Sequence, residues 1–285
     1  MMVPIAWFIS PHGFGHAART CAVLEALQQL VPAACHHLYT TVPAWFLAES
    51  LTAPYAYHAC ETDIGMVQTS PLHEDVAATV ARLASFIPFD AARVGALAAD
   101  VRQTGARTVV CDIAPLGIAV AHAAGLPSIL IENFTWDWIY EGYGAADARM
   151  TAFADYLKDI FARATLRIQA EPVCQRAPGA ITVPPISRAP RTPPAATRRA
   201  LQVADGAPLA LLTMGGVAQA GLPAAAARHA AGMTVVIPNN VAAVQRQENV
   251  ILLPWHSAYF HPDLVCAADV VIGKLGYSTV AEVYA

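Results

Sequence analysis

Short runs of consecutive apolar residues alternate along the chain with longer stretches in which apolar residues recur at helical spacing. Continuous apolar runs of this length are typical of strands that a parallel sheet buries on both faces. In the first 170 residues the predicted strands are 3–9, 36–41, 55–60, 107–112, 127–133 and 165–170. The helices predicted between them are 16–30, 74–100, 115–124 and 145–163. This alternation predicts an α/β fold built on an open parallel sheet.

Prolines crowd the segment 171–200, and proline disfavours helix in the residue before it, so we expect an extended linker there. The alternation then restarts, with predicted strands at 208–213, 233–238, 249–254 and 269–273. We therefore predict an N-terminal Rossmann-like domain over 1–170 and a second one over 201–285. A helix begins near residue 278 and the chain ends within it. We expect the second domain to be truncated, with an exposed apolar edge beside the strand DVVIG.

Composition narrows the class of protein. Of the 285 residues 56% are hydrophobic and 13% charged, which argues against global disorder, and the net charge of −4 favours no nucleic-acid partner. Six widely spaced cysteines form no CxxC pair, which argues against a zinc site or a disulfide framework and favours a cytoplasmic setting. The first apolar run has only seven residues, too few for a signal peptide or a transmembrane segment.

The loop SPHGFGHAART follows the first predicted strand and contains Gly13 and Gly15 in a G-x-G-x-x-A pattern. Glycines there allow a tight turn, and free N–H groups at a helix start favour an anion. A dinucleotide site also needs an acidic residue at the end of the second strand, where 39–41 reads Tyr-Thr-Thr. The missing carboxylate argues against NAD or FAD.

His16 lies at the first turn of the predicted helix, near the carboxyl end of the first strand, where open α/β folds bind ligands. A neutral imidazole there accepts a proton from a hydroxyl group, and a charged one donates to a phosphate. The alternative is a helix-start histidine bonded to local backbone. Arg19, three residues on, either holds an anion or pairs with a surface carboxylate.

A second loop, in AADVVIGKLGYSTVAE, repeats this design: a buried strand, then Lys274 and Gly276, then a helix that Ser278 or Thr279 can cap. Its free amides and the lysine favour a phosphate, and Glu282 lies one turn inside the helix. The GKS/T order of a Walker A loop is absent. The alternative is a capped helix beside a surface lysine.

Three segments together, SPHGFGHAART, CDIAPLGIAVAHAAGLPSILIENFTWDWIY and DVVIGKLGYSTVAE, resemble the glycosyltransferase-like region that precedes the sugar-kinase domain of plant L-arabinokinases. More distantly, the two glycine loops resemble the GT-B transferases that attach N-acetylglucosamine to lipid I. The resemblance implies a GT-B fold, in which two Rossmann-like domains face each other across a cleft. It places the nucleotide-sugar donor mainly on the C-terminal domain and the acceptor on the N-terminal one.

The resemblance also implies roles for residues on the donor side. Ser278 and Thr279 match a turn that meets the diphosphate, Glu282 matches a glutamate that holds the ribose, and Gly215 and Gly216 match a glycine-glycine loop. It implies metal-independent catalysis without a cofactor, on a nucleotide-sugar substrate for which a UDP-sugar is favoured. The donor or phosphate-binding candidates are Gly13, Gly15, Gly215, Gly216, Lys274, Gly276, Ser278, Thr279 and Glu282.

On the acceptor side the resemblance makes His16 a base or positioning group near the acceptor hydroxyl, and Asp137 is the other catalytic candidate. The acceptor-side candidates are Arg19, Asp112, Asn133 and Trp136. A tryptophan stacks on sugar rings, but Trp136 and Trp138 also suit the edge of a core. Asp112 alternatively caps the helix after its strand.

Further polar candidates follow other strands: Asp63 and Gln68 after 55–60, and His256 after 249–254, where a surface histidine is the alternative. The sequence therefore favours a glycosyltransferase that moves a sugar from a nucleotide-sugar donor to a hydroxyl acceptor. Two alternatives stay open, a non-catalytic nucleotide-sugar-binding or regulatory module and a GT-B-fold nucleotide-sugar epimerase.

Overall fold

The computed structural model of the chain describes residues 2–204, 206–215, 230, 232–239 and 241–285. The chain divides into two compact units. The first comprises Met1–Val67 and Glu74–Ile186, and the second comprises Gln68–His73 and Ser187–Ala285.

The first unit is built on a parallel sheet of seven strands. Its strands are β1 (Val3–Ile9), β2 (Ala34–Thr40), β3 (Tyr55–Ala59), β6 (Val109–Asp112), β7 (Ser128–Glu132), β8 (Leu166–Ala170) and β9 (Ile181–Val183). A separate short pair, β4 (Gln68–Ser70) and β5 (His73–Glu74), lies between β3 and β6 along the chain, and its residues Gln68–His73 belong to the second unit. The order across the large sheet is β3-β2-β1-β6-β7-β8-β9, and the neighbouring strands pair in parallel. The order reverses beside β1, so the loops after β1 and β6 open at adjacent strand ends, where open α/β sheets bind ligands.

Helices cover this sheet, and they are α1 (Gly15–Leu30), α2 (Ala44–Ser50), α3 (Val76–Phe86), α4 (Ala91–Gln103), α5 (Pro115–Ala124), α6 (Trp136–Glu141) and α7 (Arg149–Phe161). The single helix predicted over 74–100 is two helices. A proline at position 88 cannot continue α3, and the Asp90 carboxylate restarts the helix by accepting hydrogen bonds from the N–H groups of Ala92 and Arg93.

Apolar side chains of β1 feed two separate core clusters. Phe8 belongs to one cluster, whereas Trp7 and Ile9 belong to the other. Side chains alternate between the faces of a strand, so each cluster covers one face of the sheet. Helix α5 approaches closely because it has glycine at 117, where a Cβ atom would come within 2.5 Å of the Phe8 side chain.

The second unit carries a sheet of five strands among the described residues. Its elements are α8 (Pro194–Ala200), β10 (Leu209–Thr213), β11 (Thr234–Asn239), β12 (Gln245–Gln247), β13 (Val250–Pro254), α9 (His261–Ala267), β14 (Val270–Gly273) and α10 (Tyr277–Tyr284). The strand order is β12-β13-β11-β10-β14, and β12 alone among these described strands runs antiparallel to its neighbour. The carboxyl ends of the four parallel strands lie at one edge of the sheet, together with the starts of the helices that follow them.

Strand β14 lies at the edge of this sheet and leaves apolar side chains exposed. Val270 is 44% exposed, Ile272 48% and Leu275, just beyond the strand, 90%. The predicted apolar edge beside DVVIG is confirmed.

The proline-rich segment 171–200 is not extended throughout, because α8 occupies its last seven residues, and it is not only a linker, because β9 joins the sheet of the first unit. Pro193 precedes α8 and Pro194 is its first residue, a position where a helix tolerates proline since that N–H has no partner within the helix. Within the described ranges, no helix combines the length and apolar character needed to cross a bilayer.

Candidate functional site

A buried polar cluster lies at the carboxyl end of the central strands of the first unit. His16, Arg19 and Thr20 come from the first turns of α1, Asp112 ends β6, and Asn133 follows β7. Strands β1, β6 and β7 are neighbours in the sheet, so residues up to 117 positions apart in sequence meet there. All five side chains are buried.

Asp112 is the centre of the cluster. Arg19 donates to it from two nitrogens, Nε to Oδ2 at 2.9 Å and Nη2 to Oδ1 at 2.6 Å, and the Thr20 hydroxyl donates to Oδ2 at 3.1 Å. Burial acts to raise the pKa of Asp112, but the Arg19 guanidinium and the His16 hydrogen bond outweigh it and hold that pKa below its usual value. Asp112 is therefore a buried, ionised carboxylate.

Asp112 also fixes the protonation of His16. His16 Nδ1 lies 3.1 Å from Asp112 Oδ1, and an ionised carboxylate only accepts, so we assign the ring hydrogen to Nδ1. Arg19 Nη2 is 3.5 Å from the same nitrogen, but its hydrogen bond goes to Asp112 at the shorter distance. Burial lowers the pKa of His16 despite the opposing effect of Asp112, so the ring is neutral near pH 7. Nε2 then carries the lone pair and makes no hydrogen bond to the described part of the chain.

These contacts correct two expectations. Arg19 neither waits for an anion nor pairs with a surface carboxylate, because its guanidinium is buried against Asp112 and donates from Nη1 to Asn133 Oδ1 at 2.8 Å. Asp112 does not cap the following helix, since α5 begins after Ala114 without a side-chain cap. Asp112 lies within hydrogen-bond distance of His16, and Arg19 joins Asp112 to Asn133. Arg19, Asp112 and Asn133 thus form the network that holds the His16 ring in place.

Trp136 belongs to the core, which was the alternative to a sugar-stacking role. The side chain is 2% exposed, its ring stacks on Tyr140 with centroids 5.9 Å apart, and its Nε1 donates to Asp63 Oδ2 at 3.1 Å. Asp137 lies in the first turn of α6, and its Oδ1 is buried without a hydrogen-bond partner among the described residues. The carboxylate hydrogen-bonded to His16 is Asp112 and not Asp137.

Sequence reasoning missed Ser10 and Thr20. Ser10, directly after β1, is fully buried and donates to Asp63 Oδ1 at 3.0 Å. Thr20 is four residues after His16 and so lies on the same face of α1, a signal that the spacing offered.

In the second unit the loop after β14 leads into α10 through Gly276, which is the N-cap residue and makes no side-chain cap. The expectation that Ser278 or Thr279 caps this helix is wrong, because α10 begins at Tyr277 and both residues already lie in its first turn. Lys274 precedes this turn, and burial lowers its pKa. Its ammonium group makes no hydrogen bond or ion pair within the described residues, whereas its backbone carbonyl accepts from the N–H of Gly276 at 2.7 Å. The arrangement leaves a cation beside a helix start without a side-chain cap.

Glu282 faces inward from α10 and has both carboxylate oxygens engaged. Oε1 accepts from Arg188 Nη2 at 2.9 Å, and Oε2 lies 2.7 Å from His261 Nδ1, whose other ring nitrogen is 3.2 Å from Thr213 Oγ1. Burial acts to raise the pKa of Glu282, but His261 and Arg188 together lower it. The carboxylate is ionised and fastens α9, α10 and the end of β10 to one another.

The remaining glycine candidates differ in what the structure shows. Gly13 and Gly215 both have positive φ, +69° in each case, and a Cβ atom at either would meet nothing within 4 Å. Gly15 is the first residue of α1, whereas Gly216 lies outside the described residues.

Two weaker candidates lie apart: Gln68 begins β4, and His256 is an exposed residue after β13. Across the ranges that the structure describes, no three histidine, cysteine, aspartate or glutamate side chains form a group that could hold a metal ion.

No family model matches the chain. It is similar to an L-arabinokinase of Arabidopsis thaliana, with 27% identity over 97% of this chain, and it spans 27% of the length of that relative.

Solved structures of glycosyltransferases share the fold. Arabidopsis thaliana UGT89C1 complexed with quercetin is 15% identical and has a TM-score of 0.62, over 99% of this chain and 76% of the other. Medicago truncatula UGT71G1 complexed with UDP-glucose is 9% identical and has a TM-score of 0.59, over 99% and 77%. The chain therefore has the GT-B fold of glycosyltransferases, with two Rossmann-like units, and resembles part of an L-arabinokinase over nearly all of its own length.

Proposed function

We propose that this protein is a glycosyltransferase that moves a sugar from a nucleotide-sugar donor to a hydroxyl group, with His16 as the general base. One observation carries the proposal. The His16 ring is neutral, its Nδ1–H bonds to a buried, ionised Asp112, and its Nε2 has no hydrogen-bond partner in the described residues. A base whose tautomer a carboxylate fixes is the arrangement that activates a hydroxyl nucleophile.

The reaction balances without a further reactant. The acceptor oxygen gives its proton to His16 Nε2 and forms a bond to the anomeric carbon, while the bond from that carbon to the diphosphate oxygen breaks. Asp112 stabilises the imidazolium that forms, and Arg19 keeps Asp112 ionised. The nucleoside diphosphate leaves, and the proton passes to solvent before the next cycle.

On the donor side we assign the diphosphate to the first-turn amides of α10, with Ser278, Thr279 and Lys274 beside them. Partial positive charge at a helix start and a nearby cation stabilise the departing diphosphate, so this assignment needs no metal ion. Gly215 extends the proposed phosphate loop, while Gly276, like Gly13 and Gly15 in the other unit, keeps backbone amides accessible. The neighbour complexed with UDP-glucose supports a UDP-sugar as donor.

Glu282 is the proposed ribose ligand, and here the structure adds a condition. Its two oxygens are already bonded to Arg188 and His261, so a ribose hydroxyl must share or replace one of these partners. A carboxylate oxygen accepts more than one hydrogen bond, and sharing is therefore the simpler route.

For the acceptor we propose a hydroxyl-bearing molecule, which the neighbour complexed with quercetin supports. Asp137 supplies a further contact, because its partnerless Oδ1 can accept a hydrogen bond from an acceptor hydroxyl.

For the location we propose the reducing cytoplasm, which the six free cysteines support.

The test combines binding and turnover on this chain. Calorimetry with UDP, GDP, ADP and dTDP identifies the nucleotide, and product analysis with the matching nucleotide sugar and a panel of hydroxyl acceptors measures transfer. We expect His16→Gln to lower turnover by about 10²–10⁴-fold while nucleotide affinity is unchanged. Nucleotide binding without transfer to any acceptor would instead favour a non-catalytic module, and epimer formation without an acceptor would favour an epimerase.

A further inference from the structure

A second buried carboxyl group, Asp63, lies close to the His16 cluster but is held differently. Its Oδ1 accepts from the Ser10 hydroxyl at 3.0 Å and its Oδ2 from Trp136 Nε1 at 3.1 Å. All three side chains are at most 3% exposed. The carboxyl group thus joins three segments, the loop after β1, the loop after β3 and the start of α6.

No charged donor balances Asp63 among its hydrogen-bond partners in the described residues. Burial raises the pKa of Asp63 to about 7, and the hydrogen bonds from Ser10 and Trp136 oppose that rise. Asp112 at the end of β6 and Glu61 two residues before Asp63 add negative charge that raises it further. The pKa values of these two carboxyl groups are therefore shifted in opposite directions, because Asp112 is paired with the Arg19 cation and Asp63 has no cation among its hydrogen-bond partners.

Trp136 connects Asp63 to two histidines, because it bonds to the Asp63 carboxylate and its ring lies beside His12 and His16. The Trp136 and His12 rings are perpendicular with centroids 5.1 Å apart, and the centroid of the His16 ring is 6.4 Å away. Tyr140, one helical turn on, donates to the carbonyl of Gly65 at 3.0 Å and so fixes the same loop as Asp63. Gly65 has φ of +63°, and a Cβ atom there would lie 2.5 Å from His12 Nδ1, so only glycine lets His12 lie against this loop.

We propose that Asp63 is a proton-linked positioning residue, which sets how firmly Trp136 is held beside His12 and His16. An ionised Asp63 receives charge-assisted hydrogen bonds from Ser10 and Trp136, and such bonds are roughly twice as strong as neutral ones. On protonation the bond from Trp136 becomes a neutral one. The Ser10 hydroxyl oxygen then accepts a hydrogen bond from the new O–H of Asp63 instead of donating one. The consequence for acceptor binding rests on the proposed function, whereas the link between Asp63 and Trp136 does not.

The test reads the Trp136 indole N–H directly, in protein labelled with ¹⁵N-tryptophan and without substrate. Trp136→Phe assigns its resonance among those of the five tryptophans. We expect the resonance to move with a midpoint near pH 7 in the native protein, and also in the double variant His12→Gln/His16→Gln, which removes both imidazoles beside Trp136. When Asp63→Asn is added to that double variant, the resonance should not move between pH 5 and 9. A resonance that stays fixed in the native protein, or still titrates in the variant with all three substitutions, overturns the proposal.

Ser10→Ala keeps the test decisive if Asp63→Asn fails to fold. It removes a donor that favours the ionised carboxylate, so we expect the midpoint to rise by at least half a pH unit, and an unchanged midpoint contradicts the proposal. In turnover, Asp63→Asn should raise the acceptor KM several-fold and leave nucleotide affinity unchanged. If no transfer occurs in any variant, the proposed function fails while the resonance still decides the role of Asp63.

Discussion

Asp112 Oδ1 and His16 Nδ1 lie 3.1 Å apart in a buried pair whose two members are 96 positions apart in sequence. The pair fixes one tautomer of the ring, and substitution of its carboxylate by an amide should therefore damage activity in addition to the stability that the ion pair with Arg19 provides. In Asp112→Asn the amide can donate to Nδ1, which would move the ring hydrogen to Nε2 and remove the base. We expect kcat to fall about 10³–10⁴-fold, measured as transfer rate at saturating donor and acceptor. A fall of less than tenfold would show that the tautomer is not what Asp112 provides.

Arg19 should matter chiefly for stability. Replacement by methionine leaves Asp112 buried without its cation, and breaking a buried pair in this way costs about 3–5 kcal/mol. Arg82→Met is the matched control, because Arg82 pairs with Glu61 at the surface, where an ion pair contributes about 0–1 kcal/mol. Urea denaturation of both variants measures the difference, and equal losses would contradict the buried pairing.

Asp63 predicts a pH dependence of stability. Its pKa of about 7 lies above the ordinary value, so the folded state binds a proton that the unfolded state has lost between about pH 4 and 7. As the pH rises across this window, the free energy of unfolding of the native protein should fall relative to that of Asp63→Asn, by at most roughly 1.4 kcal/mol per pH unit. Unfolding curves at pH 4.5, 6 and 8 test this, and parallel pH dependences of the two proteins would argue against it.

Asp112 gives the opposite sign. Its pKa is lowered in the folded state, so its contribution to stability is complete above the unfolded value and is lost as the pH falls through the folded value. Acid titration of the native protein against Asp112→Asn should show the two stabilities converging below about pH 4. Divergence at low pH would mean that Asp112 is not held ionised.

Lys274 tests the donor side. Lys274→Ala removes a cation beside the first turn of α10 and should weaken UDP binding about tenfold, equivalent to about 1.4 kcal/mol. The effect should be smaller at high salt. Arg246→Ala removes an equal charge from the exposed strand β12 and should leave the dissociation constant unchanged. Calorimetry that finds the same loss in both variants would reduce the effect of Lys274 to general charge.

Local patterns were enough to predict most elements of the fold. The apolar run 3–9 is β1 without a shift, and the helix over 115–124 has the predicted ends, since proline opens it and Gly125 in left-handed conformation closes it. Short α6 and β12 escaped prediction because six and three residues carry too little periodicity. These elements depend on tertiary contacts.

The candidate site was predictable only in part. The position of His16 follows from the strand-loop-helix pattern around it, but its partner does not, because nothing local distinguishes Asp112 from Asp137. Only the sheet order, which places β6 beside β1, makes that choice. The role of Asp63 was hidden for the same reason, since both of its donors come from other segments.

His16 and Asp112 act as one unit in the proposed mechanism, and a double-mutant cycle on transfer activity measures this directly. The cycle compares kcat/KM for the native protein, His16→Gln, Asp112→Asn and the double variant. Residues that act together lose their effects non-additively, so the double variant should be no slower than His16→Gln alone. Losses that simply add in free energy would contradict the proposed base.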